Sequence, residues 1–183
     1  MAFRAFISVD LPELQSVQAL AEELRRTGAA LKIVDVSRVH LTLKFLGGTE
    51  EALVPRIVEA VRASVAGISP FAVRLVGTGA FPTLHRMNVL WVGMEGAEPL
   101  AEIARHLEAA MEPLGYRREG RDFSPHATIA RVKGPRGLDA VRRVLEAHAR
   151  DAFGEVLVDR VRLKKSVLTP DGPVYSTVEE VPL

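Results

Sequence analysis

Two short stretches of the chain share the same order of a histidine, an apolar residue, a threonine and a second apolar residue. They are residues 40–43 (HLTL) and 126–129 (HATI), and 86 residues separate the two histidines. Each stretch reads as a β-strand, in which residues two apart point to the same side. Each copy is therefore expected to present an imidazole and a hydroxyl on one face, with its apolar residues on the other.

The residue types in this pattern suit acid–base chemistry at an anion. Imidazole titrates near neutral pH, so one histidine can accept a proton while the other donates one. A threonine hydroxyl can hydrogen-bond a phosphoryl oxygen. Two imidazoles on opposite sides of a phosphorus atom would serve an in-line displacement, one activating the attacking oxygen and one protonating the leaving oxygen. A single His-x-Thr is usually a surface pair, but two copies in matching positions favour a functional site.

Neither motif contains a carboxylate, and two histidines are a poor site for a hard cation such as Mg²⁺. We therefore expect a site without a metal or another cofactor. The predicted catalytic residues are His40 and His126, and the predicted phosphate-binding residues are Thr42 and Thr128. The residues themselves leave open which histidine is the acid and which is the base.

Four arginines near the second motif are candidate anion contacts. Regular alternation places Arg131 on the apolar face, so it could bind an anion only if the strand ends or bulges there. An arginine that reaches solvent at the strand end is an equally good interpretation. Arg117, Arg118 and Arg121 form a basic loop just before the motif; a solvated loop is the default, although such a cluster could also receive an RNA backbone.

Strands and helices are expected to alternate, and the order strand, helix, His-x-Thr strand, helix, strand occurs twice. Pro12 and Pro99, each placed at a helix start, are 87 residues apart, close to the spacing of the histidines. The expected strands cover residues 3–9, 31–36, 39–46, 71–76, 88–94, the second motif, 155–168 and 174–181, and the expected helices 12–28, about 49–67, 99–114 and 138–150.

Within the first motif strand, alternation puts Lys44 on the outer face and Phe45 on the core face. Gly47 and Gly48 are expected to end this strand, and Thr49 to cap the following helix, unless Pro55 moves the start of that helix further along.

Composition limits the class of protein. The 183 residues are 48% hydrophobic and 26% charged, which is typical of a globular chain and sufficient for one domain or two small lobes. The absence of cysteine excludes disulfides and a cysteine nucleophile and fits a reducing cytosol. No apolar run suits a membrane span, and a net charge of +1 does not by itself indicate nucleic-acid binding. We expect one compact two-lobed unit over residues 1–183, monomeric and cytoplasmic.

Around these motifs the chain resembles the 2H phosphoesterase superfamily, and within it the bacterial and archaeal RNA 2′,3′-cyclic phosphodiesterases, also called 2′-5′ RNA ligases. The matching stretches are FRAFISVDLP, HLTLKFLGGT, NVLWVGM, FSPHATIAR and SVLTPDGPVY, which together span most of the chain. The resemblance implies an α+β fold in two lobes, with two antiparallel sheets related by a pseudo-twofold axis, helices outside, and a cleft lined by the motifs.

The resemblance also implies hydrolysis of a terminal 2′,3′-cyclic phosphate on RNA to a 2′-phosphate. His40 would then be the general acid for the 3′ leaving oxygen and His126 the general base for water, with Thr42 and Thr128 holding the nonbridging oxygens. Reversible 2′-5′ ligation of tRNA halves would be the same chemistry with a ribose hydroxyl in place of water. Two alternatives stay open: a 2H enzyme acting on another substrate, such as ADP-ribose cyclic phosphate or a short oligonucleotide, and a nucleotide-binding module without catalysis.

Overall fold

A computed structural model describes residues 2–120, 122–170 and 172–183. Within these ranges the strands are β1 (Ala2–Asp10), β2 (Leu31–Ile33), β3 (His40–Glu50), β4 (Phe71–Thr83), β5 (Arg86–Glu95), β6 (His126–Val132), β7 (Ala152–Val158), β8 (Arg160–Thr169) and β9 (Gly172–Pro182). The α-helices are α1 (Gln15–Arg26), α2 (Val54–Val65), α3 (Glu98–Met111) and α4 (Leu138–Ala147). Short 3₁₀ turns cover Val36–Arg38, Glu51–Leu53 and Glu112–Leu114.

The strands form two antiparallel sheets, as expected for the α+β class. The first sheet has the order β3-β1-β8-β9, and the second has the order β2-β6-β5-β4-β7. Each motif strand, β3 or β6, pairs with the strand that opens its half of the chain, β1 or β5. Apart from the extra edge strand β2, the two sheets therefore repeat the same spatial order, which confirms the duplication predicted from the sequence.

The helices exchange sides between the two halves. Helix α1 follows β1 of the first sheet but contacts β2 and β7 of the second, whereas α3 follows β5 of the second sheet but packs against β3 of the first. Helix α2 contacts α3 and β9, and α4 contacts β4 and α1. Each half of the chain thus supplies one helix to the sheet of the other half.

The helical faces turned toward the sheets are apolar. Helix α3 buries Leu100, Ile103, Ala104, Leu107 and Met111, at the three- and four-residue spacing of one helical stripe. Burying each of the larger side chains stabilises the fold by about 1.5–3 kcal/mol. None of the helices in the described ranges is both long and apolar enough to cross a lipid bilayer.

Two predicted element boundaries near the first motif are wrong. Strand β3 does not stop at Gly47 and Gly48 but continues to Glu50, because it pairs with the whole of β1. Gly47 takes φ +71°, which a glycine tolerates, so the strand bends there instead of ending. Thr49 is consequently a buried strand residue and not a helix cap, and α2 begins beyond it with Pro55 in its first turn.

Three further boundaries differ from the prediction. Helix α1 begins three residues after Pro12, because the chain stays extended while the Leu11 amide donates to the carbonyl of Val39. The Pro12–Pro99 spacing therefore does not mark equivalent helix starts, although the sheet order still shows the repeat. The single strand expected over residues 155–168 is two strands in different sheets, divided at Asp159, whose carbonyl accepts from the Leu183 amide. The segment expected to loop between residues 76 and 88 is a long β4–β5 hairpin.

Candidate active site

Both motif strands contain a β-bulge at the fourth position of the motif. In β3, Thr42 pairs with Ser8 and Lys44 with Ile7, so Leu43 is the extra residue. In β6, Thr128 pairs with Trp91 and Ala130 with Leu90, so Ile129 is the extra residue. A bulge reverses the face of the residues that follow it, as far as the next irregularity of the strand. The duplication therefore extends to an irregularity of the backbone that alternation alone does not predict.

The first bulge exchanges the predicted positions of two side chains. Lys44 was expected outside and is 1% exposed, whereas Phe45 was expected in the core and is 61% exposed. The Lys44 ammonium donates to Glu108 Oε1 at 2.8 Å and to the Arg117 carbonyl at 2.9 Å. The sequence prediction for these two residues is wrong because it assumed an unbroken period of two.

The second bulge has the same effect on Arg131, for which the sequence left two interpretations open. Beyond Ile129 the strand turns Arg131 to the exposed face, the face that also carries His126 and Thr128. Its guanidinium lies close enough to His40 to lower the pKa of that imidazole. The strand therefore has the bulge that Arg131 needs in order to reach an anion beside the motif residues.

The two histidines make the same hydrogen bond. His40 Nδ1 lies 2.8 Å from the Arg38 carbonyl, and His126 Nδ1 lies 2.7 Å from the Ser124 carbonyl. A carbonyl oxygen only accepts, so each Nδ1 carries the proton, and the neutral ring keeps its lone pair on Nε2. Nε2 is therefore the free proton-transfer atom of both imidazoles.

Aromatic rings hold both imidazoles in place. His40 lies 5.0 Å from the Phe6 ring centroid and 5.2 Å from that of Tyr175, which meets it edge-on. His126 meets Phe81 edge-on at 4.8 Å, and Phe81 lies 5.3 Å from Trp91. These contacts restrict rotation of the histidine rings, so that the two Nε2 atoms keep fixed directions.

Trp91 lies flat over Gly79 on the neighbouring strand. A Cβ atom at Gly79 would come within 2.3 Å of the indole ring, so only glycine fits beneath it. Trp91 is the cross-strand partner of Thr128, so the indole ring also lies beside the second motif.

The polar neighbours of the first motif are a carboxylate and two cations. Asp10 is the cross-strand partner of His40. Its Oδ2 atom lies 2.6 Å from Lys164 Nζ and 3.5 Å from Arg162. A small cavity of about 210 Å³ adjoins this cluster and is bordered by Asp10, Arg38, Lys164 and Tyr175.

Burial is the main influence on the charge of His40, and it lowers the pKa of the imidazole below its ordinary value. The hydrogen bond to the Arg38 carbonyl and the Asp10 carboxylate oppose this, while Lys164 and Arg131 lower the pKa further. The neutral form of His40 therefore predominates at neutral pH.

The two motif strands lie next to each other across the two sheets, since β3 contacts β6 directly. All five predicted site residues, His40, Thr42, His126, Thr128 and Arg131, lie on these two strands, and none of their side chains is fully buried. Within the described residues, no group of three histidine or acidic side chains is arranged to hold a metal ion.

The arginines of the basic loop before the second motif differ in their ion-pair partners. Arg118 pairs with Glu112 at 2.9 Å, and Arg117 is exposed with no carboxylate partner in the described ranges. Arg121 lies outside the described residues.

The profile of the 2'-5' RNA ligase superfamily matches residues 12–167, most of the chain. The chain belongs to the 2′-5′ RNA ligase superfamily. A protein named RNA 2',3'-cyclic phosphodiesterase from Methanothermobacter thermautotrophicus is 36% identical over 181 residues, covering 98% of each chain. A protein of the same name from Thermus thermophilus is 35% identical over 188 residues, covering 98% of this chain and 90% of the relative.

Solved structures of the superfamily share the fold. A crystal structure of a Thermus thermophilus protein superposes with a TM-score of 0.79 at 31% identity, covering 98% of this chain and 97% of the other. Escherichia coli LigT, crystallised with 3'-AMP, superposes with a TM-score of 0.78 at 21% identity, covering 100% and 99% of the two chains. The bilobal 2H fold expected from the motifs is therefore confirmed.

The residues that surround the two histidines were not identified from the sequence. Phe6, Phe81, Trp91 and Tyr175 surround the two histidines, and Asp10 lies opposite the first. Only 5% of the chain is aromatic, so the presence of Phe6, Trp91 and Tyr175 in predicted strands is a signal that could have identified them, whereas Phe81 falls in a predicted loop.

Proposed function

We propose that this protein hydrolyses the terminal 2′,3′-cyclic phosphate of RNA to a 2′-phosphate by acid–base catalysis with two histidines. The names of its relatives support the substrate. The observation that carries the mechanism is the matched Nδ1–carbonyl hydrogen bond, which leaves Nε2 of both His40 and His126 available for proton transfer.

The reaction balances with one water and no other reactant. His126 Nε2 takes a proton from water as the water oxygen forms a bond to phosphorus. The bond from phosphorus to the ribose 3′ oxygen breaks, and His40 Nε2 gives its proton to that oxygen. The 2′ ester bond remains, so the product carries a 2′-phosphate and a 3′-hydroxyl. Exchange of one proton with solvent returns both histidines to their starting states.

The remaining motif residues bind the charge that develops on the phosphoryl group. The hydroxyls of Thr42 and Thr128 donate hydrogen bonds to the two nonbridging oxygens, and the Arg131 guanidinium compensates their negative charge. A bound phosphodiester anion also favours the charged form of His40, whose pKa burial otherwise lowers. Substrate binding therefore helps to protonate the acid.

Replacement of each histidine tests the mechanism. We expect His40→Ala and His126→Ala each to lower kcat/KM on RNA with a terminal 2′,3′-cyclic phosphate by at least about 10²-fold, because each removes a proton-transfer group. His85→Ala is the matched control, since His85 is exposed in the β4–β5 turn. Product analysis by ³¹P NMR distinguishes a 2′-phosphate from a 3′-phosphate. Wild-type turnover in either motif variant would refute the two-histidine mechanism.

A substrate with an activated leaving group separates the two roles. p-Nitrophenolate departs without protonation, so a phosphodiester of this type needs no general acid. We expect His40→Ala to regain most of its lost rate on such a substrate and His126→Ala to remain inactive. The opposite result would exchange the two roles.

The motifs supply imidazoles and hydroxyls and no carboxylate, a donor set suited to proton transfer and not to Mg²⁺. We therefore expect turnover to persist in excess EDTA. Loss of turnover that a divalent cation restores would contradict the metal-independent mechanism.

A further inference from the structure

The exposed ring of Phe45 lies beside a groove that the two-histidine mechanism does not use. The groove has a volume of about 440 Å³ and lies between the end of β3 and the segment that follows α3, with Gly48, Glu50, Leu53, Tyr116 and Arg117 on its walls. Phe45 reaches it only because the bulge at Leu43 turns the ring out of the core.

A row of aromatic rings leads from the catalytic centre to this groove. The Phe6 ring centroid lies 5.0 Å from that of His40 and 6.4 Å from that of Phe45. Phe45 is thus one ring beyond the residue that supports the first histidine. Phe6 is 4% exposed and only connects the two, whereas the exposed ring of Phe45 offers a face on which one base of a single strand can stack.

The segment on the other wall is held in place before any ligand binds. The carbonyl of Arg117 accepts from the buried Lys44 ammonium, and the Glu119 amide donates to the Glu108 carboxylate at 3.0 Å. The Tyr116 hydroxyl donates to Thr49 Oγ1 at 3.1 Å. Within the described residues the Arg117 guanidinium, which lines the groove, has no hydrogen-bond or ion-pair partner. A preordered segment loses less entropy on binding.

We propose that this groove binds the nucleotide next to the terminal one in the RNA substrate, with its base on Phe45 and its phosphate at Arg117. The proposal rests on the proposed function, because the terminal cyclic phosphate must lie at the histidines. The smaller cavity beside His40 suits a second phosphate less well, because its Lys164 already pairs with Asp10.

Comparison of a nucleoside 2′,3′-cyclic monophosphate with a trinucleotide ending in the same cyclic nucleotide tests the groove. We expect the wild-type KM to be about tenfold lower for the trinucleotide, since one stacked base and one phosphate contact are added. Phe45→Leu keeps the apolar contact with Phe6 but removes the stacking ring, and Arg117→Ala keeps the carbonyl that Lys44 binds. Each should raise the trinucleotide KM several-fold and leave the mononucleotide kinetics unchanged.

Arg118→Ala is the matched control, because it removes the same charge from the same loop at a side chain already paired with Glu112. Only Arg117→Ala should reduce the dependence of log KM on log salt, by about 0.7 for one lost contact to a single strand. Equal wild-type KM values for the two substrates would overturn the proposal. An equal rise in KM for both substrates in Phe45→Leu would do the same. Mononucleotide hydrolysis reports the proposed function separately, and a wild-type protein inactive on both substrates would refute that function and this inference together.

Discussion

At the residue scale, the proposed chemistry depends on one ring nitrogen in each motif and on the groups that set its charge. The two imidazoles make the same backbone hydrogen bond, since each Nδ1 donates to the carbonyl two residues earlier. Their surroundings differ, because only His40 has an ionisable cross-strand partner, Asp10, which is itself paired with Lys164. The side chains around His40 therefore adjust its pKa in opposite directions.

This arrangement predicts opposite pH shifts for two variants. If His40 is the acid, kcat/KM falls as the pH rises through the pKa of His40, because the protonated ring is lost. Asp10→Asn removes a carboxylate that raises this pKa, so the alkaline limb should move to lower pH. Lys164→Met removes a cation that lowers it, so the same limb should move to higher pH. The pH dependence of kcat/KM measures both.

The direction of these shifts also checks the assigned roles. If the two variants instead shift the acidic limb of the kcat/KM profile, in opposite directions, His40 is the base. Movement of both variants in the same direction would show that Asp10 and Lys164 act through the structure of the site and not through the charge of His40.

At the element scale, the paired bulges determine what each motif strand presents to the cleft. In β3 the bulge sends Lys44 inward to Glu108 on α3, and this ion pair joins the first motif strand to the helix that precedes the second motif. Since Lys44 is 1% exposed, its charge depends on that partner. The ion pair thus adds a buried polar contact to the apolar packing of α3 against β3.

Loss of one partner of this ion pair should therefore lower the stability of the fold. We expect Glu108→Gln to lower the free energy of unfolding by about 3–5 kcal/mol, because it leaves the Lys44 ammonium, which is 1% exposed, without its carboxylate partner. The double variant Lys44→Met/Glu108→Gln should recover part of that loss. Arg74→Ala breaks an exposed pair with Glu95 and should change stability by less than about 1 kcal/mol. Urea unfolding measures all three, and equal effects of Glu108→Gln and Arg74→Ala would contradict the structural role of the pair between Lys44 and Glu108.

The same bulges explain what the sequence could and could not predict. Periodicity and residue type were sufficient for both motif strands, their shared face and the duplicated order. They failed at Lys44 and Phe45, because a bulge is a property of the register between β3 and β1 and not of β3 alone. They also missed the break at Asp159, where a continuous strand-forming pattern passes from one sheet to the other. Long-range pairing decided these positions.

At the scale of the whole molecule, the exchange of helices interlocks the two halves. The apolar face of α3 is covered by β3, and α1 is covered by strands of the second sheet. Neither half can bury its own helix without the other. We therefore propose that residues 1–183 fold as one cooperative unit.

Unfolding followed by two probes tests this cooperativity. Trp91, the only tryptophan, lies in the second sheet, so its fluorescence reports that sheet, whereas circular dichroism reports both. We expect the two urea transitions to coincide, as they do for a two-state domain. Separate midpoints would show that the two sheets unfold independently.

The interlocked halves also have a consequence for symmetry. Two identical half-length subunits could form the same pair of sheets as a homodimer, but their histidines would then have identical surroundings and equal proton affinities. A single covalent chain removes that constraint, so Asp10 can stand opposite His40 while Gly93 stands opposite His126. Fusion of the halves thus allows the two copies of the motif to take the two proposed roles, proton donor and proton acceptor, without a change in their backbone.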